Sequence, residues 1–154
     1  MIAHLAPRRL NSAGFSLIEL MVAMAIAGIL LAVAVPSYLS QIRKSRRTDA
    51  KTVLLDLAGR EERFFSTNNA YSSLATDMGY SGTFPQTVGN GYYQVNLPTV
   101  TAGTAAAVAT FSLTAVPIGT QTKDTLCASF TVTSAGTQTS LDSAGNDSTS
   151  TCWK

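Results

Sequence analysis

The stretch GFSLIELMVAMAIAGILLAVAVP, residues 14–36, decides the fold because it is apolar along almost its whole length. From Phe15 to Val35 the only polar side chains are those of Ser16 and Glu19. A helix over this run would be roughly 31 Å long, enough to cross a hydrocarbon core of about 30 Å. Since the run is apolar on every side, it must lie in lipid or inside an assembly.

Three interpretations of this run are open. A cleaved secretory signal would use Arg8 and Arg9 as its basic region and Ala32-Val33-Ala34 as its cleavage site. However, the run exceeds the usual ~7–15 residues of such a signal, and it contains an acid. A plain single-pass anchor explains the length but not Glu19, because an acid within a bilayer costs about 2.5–3.5 kcal/mol and usually has a partner. An assembly helix explains both features, if Glu19 meets the α-amino group of a chain cut before Phe15.

The residues Gly14-Phe15-Ser16-Leu17-Ile18-Glu19, followed by a long apolar run with Gly28 and Pro36, resemble the signature of the type IV pilin family. This resemblance implies a leader peptide over residues 1–14, cleavage between Gly14 and Phe15 by a prepilin peptidase, and N-methylation of Phe15. It also implies that Glu19 pairs with the Phe15 ammonium of a neighbouring subunit during assembly. A low dielectric strengthens such a pair, and an unpaired buried charge is penalised.

Beyond Pro36 the apolar residues recur at three- and four-residue steps, which is typical of a helix with one buried face. We predict a nearly continuous helix from Phe15 to about Phe65, with a transmembrane half over 15–35 and an amphipathic half over 36–65. Pro36 lacks a backbone donor and clashes with the preceding turn, so we expect a kink there, and Gly28 weakens the helix locally. The buried face is predicted to contain Ala50, Val53, Leu54, Leu57, Ala58 and Phe64.

Four basic residues follow the apolar run, and we interpret them as a collar against lipid headgroups. The alternatives are contact with acidic groups of neighbouring subunits and, least favoured because no aromatic residues interleave, DNA binding. By count alone they would place the rest of the chain in the cytoplasm, since only Arg8 and Arg9 precede the run. The resemblance to pilins implies the opposite orientation. The cluster consists of Arg43, Lys44, Arg46 and Arg47, and we expect Arg43, Lys44 and Arg47 to lie largely on other faces of the helix.

Residues 66–154 are predicted to form a globular head. Residues 66–92 are rich in Ser, Thr, Asn and Gly and show no clear period, so we expect a long loop there. Period-two alternation then predicts antiparallel strands, and a turn at Ser134-Ala135-Gly136. The expected fold class is α+β, with the long helix packed on an antiparallel sheet of about four strands, as in the lollipop architecture that the resemblance implies. The predicted inward residues are Tyr93, Val95, Leu97, Phe111, Leu113, Ala115, Ala128, Phe130 and Val132, followed by a strand over Thr137–Leu141.

Cys127 and Cys152 are either two free buried thiols or a disulfide that would stabilise the head by roughly 3.5 kcal/mol. The resemblance to pilins implies the disulfide, and it implies an exposed, variable C-terminal region between the two cysteines. The small polar residues 142–151 fit such a region. Gln121-Thr122-Lys123-Asp124 and Cys152-Trp153 further resemble minor pilins of the PilE type.

Charge and composition exclude several classes of function. The net charge of +2 over 154 residues comes from Arg8 and Arg9, because the other nine basic residues balance nine acidic ones. The head therefore lacks the basic excess of a nucleic-acid binder, and nucleic acid is not favoured as a partner. The single histidine is His4, so the chain after the leader has no histidine for a nucleophilic pair or a metal site. We predict no enzymatic activity, no cofactor and no metal site.

Together these features predict a structural subunit of a type IV pilus, best described as a minor pilin, acting in adhesion, twitching motility or pilus assembly. The alternatives are a major pilin, a type II secretion pseudopilin, and a competence pilin that binds DNA. The expected partners are other pilin subunits, the prepilin peptidase, the inner-membrane assembly machinery and the inner membrane. Before assembly the head would lie in the periplasm, and after assembly the subunit would lie in an extracellular pilus.

Overall fold

The computed structural model describes residues 14–154, so the predicted leader lies outside the described residues except for Gly14. The chain divides into two compact units, Met1–Tyr38 and Leu39–Lys154. One helix, α1, runs from Leu17 to Asn68 and contributes residues to both units. The prediction of a long continuous helix is confirmed, and the helix continues through Gly28 and Pro36.

The second half of α1 has one buried face, formed by residues at alternating steps of three and four. The buried positions are Arg47, Ala50, Leu54, Leu57 and Glu61. The apolar members confirm the predicted face, and Val53 and Ala58 pack against the same core. The placement of Arg47 away from this face was wrong, because the side chain follows the same helical period as its apolar neighbours and has an acidic partner inside the head.

Between Gly14 and Lys154 the chain forms one antiparallel sheet of six strands, so the α+β class is confirmed and the strand number is higher than the four expected. The sheet order is β1-β2-β4-β5-β6, and β3 pairs with β4. A short helix, α2, covers Thr149–Cys152. The strands are β1 Gln86–Val88, β2 Tyr93–Val95, β3 Thr99–Thr101, β4 Thr110–Pro117, β5 Ser129–Thr133 and β6 Gln138–Leu141.

The strands that the sequence did not reveal are three residues long, too short to show a period. One is β1, which lies inside the predicted loop over residues 66–92. The other is β3, which pairs with the same long strand as β2: Val95 faces Ala115, and Thr99 faces Ser112. The step from Val95 to Thr99 is four residues, whereas the facing step on β4, from Ala115 to Ser112, is three. The segment between β2 and β3 therefore has one extra residue, which forms a bulge beside Pro98.

This bulge ends the alternation of β2, and Leu97 is 62% exposed. The prediction that Leu97 shares the inward face with Tyr93 and Val95 was therefore wrong. The alternation in β4 and β5 is confirmed, and the turn after β5 is closed by Gly136 at a φ of +73°. These strands and α1 enclose the apolar core, which contains Ala50, Leu54, Leu57, Met78, Val88, Tyr93, Val95, Phe111, Leu113, Ala115, Phe130 and Val132.

Candidate functional site: the N-terminal segment and the charged contacts of the head

Ser16 caps the start of α1. Its Oγ accepts a hydrogen bond from the backbone N–H of Glu19 at 3.3 Å, and its carbonyl accepts one from Leu20 at 3.2 Å. A serine followed three residues later by glutamate is the pattern of a capping box, and an acid in the first turn also interacts favourably with the helix dipole. Glu19 therefore takes part in the start of the helix through its backbone N–H, and its carboxylate lies in the first turn, where the helix dipole favours an acid. The Ser16–Glu19 spacing could have indicated this role from the sequence.

The N-terminal half of α1 offers a continuous apolar surface. All residues from Gly14 to Gln41 are exposed, including Phe15 at 76%. Within the described residues, α1 is long and apolar enough to cross a membrane, by length and composition. An exposed apolar surface of this length has to be covered by lipid or by other chains.

Gly14 and Gly28 are not required by packing within the chain. A Cβ atom built at either position would meet no heavy atom of the described residues within 4 Å, and neither glycine has a positive φ. Packing among the described residues therefore does not explain a glycine at either position.

A buried ion pair joins α1 to the turn that precedes the first cysteine. The Arg47 guanidinium donates Nε and Nη2 hydrogen bonds to the two carboxylate oxygens of Asp124, both at 2.7 Å, and both side chains are less than a tenth exposed. Gln121 Nε2 donates to the carbonyl of Arg43 at 3.1 Å and to Tyr93 Oη at 3.0 Å. Burial raises the pKa of Tyr93 to about 12. These contacts hold the 3-10 turn Gly119–Lys123 on α1.

The basic cluster after the apolar run is therefore only partly available to lipid. Arg47 is buried in its pair with Asp124, so the headgroup interpretation was wrong for this residue. Arg46 donates to Thr120 Oγ1 at 3.2 Å, and its guanidinium carbon lies 3.6 Å from the centroid of the Tyr92 ring. A guanidinium over an aromatic ring at this distance forms a cation–π contact. Lys44 is exposed, whereas Arg43 is half-buried.

The disulfide implied by the pilin resemblance is present. Cys127 and Cys152 are both buried, with 5.9 Å between their Cα atoms and 25 residues between them in sequence. The bond connects the segment before β5 to the last residue of α2, and so encloses β5, β6 and the polar residues 142–151. Trp153 follows it, and its indole Nε1 donates to the carbonyl of Thr139 at 2.7 Å.

The acidic residues of this polar region are engaged in local turns. Asp142 Oδ1 accepts hydrogen bonds from the backbone N–H groups of Ala144 and Asn146, and Oδ2 accepts one from Asn146 Nδ2. The hydrogen bond from the Asn146 side chain is the main reason that the pKa of Asp142 is lowered. Among residues 14–154, no group of three His, Cys, Asp or Glu side chains is placed to hold a metal ion.

Two family models match this chain in adjacent segments. The prokaryotic N-terminal methylation motif matches residues 9–35. The family described as type IV minor pilin ComP, DNA uptake sequence receptor, matches residues 36–131, which is more than half of the chain.

Similar proteins include both fimbrial and major pilin proteins. The fimbrial protein EcpC of Eikenella corrodens is 32% identical over 71% of this chain and 69% of its own length. The type IV major pilin PilA of Myxococcus xanthus is 41% identical over 44% of this chain, but the match spans only 31% of that protein. The wide pilus component PilA4 of Thermus thermophilus is 36% identical over 41% of this chain and 48% of its own length.

Among solved structures, a type IV pilin from Shewanella oneidensis is 27% identical over 62% of this chain and 89% of its own, with a TM-score of 0.43. The family assignment rests on the model that spans residues 36–131, on the methylation motif before it, and on the extent of the Eikenella match. This chain is a member of the type IV pilin family, in the group that the ComP model describes.

Proposed function

We propose that this pilin is made as a prepilin, cut between Gly14 and Phe15 by a prepilin peptidase, and methylated at the new Phe15 amine. The observation that carries the proposal is the methylation motif, which matches residues 9–35 and so includes Gly14, Phe15 and Glu19. The exposed apolar half of α1 supports an anchor over residues 15–35 in the inner membrane, with the head in the periplasm. A peptidase that needs a flexible, narrow residue before the cut also explains a glycine at position 14, where packing within the chain requires none.

Assembly is proposed to transfer the apolar half of α1 from lipid into the core of a filament. There the Glu19 carboxylate would pair with the Phe15 ammonium of a neighbouring subunit. The hydrogen bond that joins Glu19 to the Ser16 cap uses its backbone N–H and not its carboxylate, which leaves the carboxylate available for such a pair. Because the pair exists only at one stagger between two subunits, it would select the register of the growing filament. The inner-membrane assembly machinery would supply the subunits.

The test of this proposal is the Glu19→Ala variant, expressed at wild-type level in the native host. We expect normal cleavage and membrane insertion, because the leader site and the apolar run are unchanged. The filament yield should fall by about tenfold or more, which corresponds to the loss of a charge pair of at least about 1.4 kcal/mol. Glu62→Ala, which removes an exposed acid of the head, is the matched control and should assemble normally. Normal filament yield from Glu19→Ala would contradict the proposal.

Within the pilus we assign this chain to the minor pilins. The description of the matched family supports this role, as do the residues Gln121-Thr122-Lys123-Asp124 and Cys152-Trp153. The Myxococcus and Thermus relatives are major components, but they match only 44% and 41% of this chain. A minor subunit could support adhesion, twitching motility or initiation of assembly while it forms a small part of the filament.

DNA binding is the second candidate function, because the matched family is described as a DNA uptake sequence receptor. The charges of the head weigh against a strong electrostatic contribution: residues 66–154 contain Lys123 and Lys154 against Asp77, Asp124, Asp142 and Asp147. Filter binding of duplex DNA to the purified full chain over a range of salt concentrations would decide. An affinity that falls steeply with salt and depends on sequence would support a receptor role, whereas no binding at low salt would exclude it.

A further inference from the structure

Glu61 is a buried carboxyl group that the proposed assembly role does not use. Its side chain is fully buried on the core-facing side of α1, one helical step beyond Leu57. Oε2 accepts a hydrogen bond from the backbone N–H of Ser72 at 3.1 Å, and Oε1 has no hydrogen-bond partner among the described residues. An ionised carboxylate in such a position is expensive, because it is buried and no cationic side chain among the described residues is paired with it.

The charged and titratable groups around Glu61 do not favour its ionised form. On α1 the neighbouring acid is Glu62. The neighbouring cation, Arg60, donates its hydrogen bonds to the Asp56 carboxylate and to the carbonyl of Met78. The segment packed against α1 contributes Asp77 and Tyr71, whose hydroxyl donates to Glu62 at 3.0 Å. None of the six strands contains a charged residue. Burial raises the pKa of Glu61; Asp77 and Glu62 raise it further, and the Ser72 hydrogen bond opposes them in part.

The partner of Glu61 lies in the segment of residues 70–80, which returns from the end of α1 over the core. Its aromatic anchor is Tyr71, with the ring stacked on Phe65 at 4.6 Å and set edge-on to Phe111 at 4.8 Å. Ser72 is the polar anchor: its N–H donates to Glu61, and its hydroxyl donates to Asp77 and accepts from the N–H of Leu74. A change at the Glu61 carboxyl group therefore acts directly on this anchor.

We propose that Glu61 is a proton-controlled latch, which holds the 70–80 segment on α1 as a neutral acid and loosens it when the carboxyl group ionises. The neutral acid still accepts from Ser72 and carries no charge that needs a partner. Because the folded chain favours the protonated form, the latch contributes fully below the pKa of an unfolded glutamate. Its contribution is lost as the pH rises through the higher pKa of the folded state.

The proposal is tested on the full chain in detergent micelles by NMR, from about pH 4 to about pH 9. Two quantities are followed: the titration of the Glu61 side-chain carbon, and the protection factor of the Ser72 amide against hydrogen exchange, corrected for intrinsic rates. In the wild type we expect the carboxyl group to titrate above the ordinary glutamate range. As the pH rises from the ordinary glutamate range to this midpoint, Ser72 protection should fall by up to about tenfold per pH unit, the limit for one linked proton, and it should level off above the midpoint.

Glu61→Gln keeps an acceptor for Ser72 but cannot ionise, so its Ser72 protection should not change with pH. Glu62→Gln removes the exposed neighbouring acid, and should keep the pH dependence with a lower midpoint. The latch is refuted if Glu61 titrates at or below the ordinary range in the wild type. Equal loss of Ser72 protection in the wild type and Glu61→Gln would also refute it. If Glu61→Gln does not fold, the wild-type titration together with the pH dependence of wild-type Ser72 protection supports or refutes the latch.

Discussion

Two charged side chains on the buried face of α1 are compensated to different degrees. Arg47 donates hydrogen bonds from two nitrogens, Nε and Nη2, to the two carboxylate oxygens of Asp124. Glu61 has one backbone donor for two oxygens. A buried pair is costly to break because the remaining charge has no solvent, whereas a lone buried acid can relieve its cost by taking up a proton. Arg47 therefore contributes to stability through its partner, and Glu61 makes stability depend on pH.

Asp124→Asn is predicted to lower the free energy of unfolding by about 3 kcal/mol, the lower end for breaking a buried pair, because the amide oxygen still accepts one hydrogen bond. The measurement is urea unfolding of the full chain in detergent micelles, followed by fluorescence of Trp153, the single tryptophan. Asp56→Asn is the control, since the Asp56–Arg60 pair is 52% and 40% exposed and should contribute no more than about 0.5 kcal/mol. Equal effects of the two substitutions would contradict the prediction.

The turn at Asp142 is predicted to loosen in acid. Because its pKa is lowered in the folded chain, the stability that Asp142 contributes is present above the unfolded pKa and is lost as the pH falls through the folded value. We expect the protection of the Asn146 amide against hydrogen exchange to decline over that range. In Asp142→Asn the decline should be absent and the protection low throughout. An Asn146 amide with constant protection in the wild type would exclude this linkage.

At the scale of the elements, the length of the alternating stretch determined which strands could be predicted. β4 has eight residues, alternates cleanly and pairs with β2, β3 and β5, so its pattern is set by burial on one face. β1 and β3 have three residues each and exist because a longer strand offers them hydrogen-bond partners. No local pattern of this length distinguishes a strand from a loop, so these edges could not be predicted.

The disulfide is the element-scale feature with the largest expected effect. Changing both Cys127 and Cys152 to serine is predicted to lower the free energy of unfolding by about 3.5 kcal/mol, because the unfolded chain regains the entropy of the closed loop. Urea unfolding with and without a reducing agent measures this. The reducing agent should destabilise the wild type to about the level of the variant and leave the variant unchanged. A wild type that is insensitive to full reduction would contradict the prediction.

At the scale of the whole molecule, the chain combines an apolar helical half that is exposed from Gly14 to Gln41 with a head that has its own core. The apolar half of α1 is unfavourable in contact with water, so it has to be covered by a membrane or by other subunits of a filament. This requirement follows from composition and agrees with the membership in the pilin family.

For a minor pilin, we expect the chain to be present in sheared filaments at a small fraction of the major subunit, and deletion of its gene to reduce piliation. Quantitative mass spectrometry of purified filaments measures the ratio. The abundance of the major pilin in the same preparation serves as the internal reference. A chain that makes up most of the filament mass would show that it is the major pilin instead.

The long helix, the α+β class and the family signature could all be predicted from the sequence. These features depend on patterns within short stretches: a run of apolar residues, a period of 3.6 or 2, and Gly14, Phe15 and Glu19 at fixed spacing. The partners of the buried charged side chains, by contrast, became known only from the folded chain. Arg47 meets Asp124 across 77 residues, and Ser72 meets Glu61 across 11. The compensation of a buried charge depends on what the folded chain brings next to it, and no local pattern contains that information.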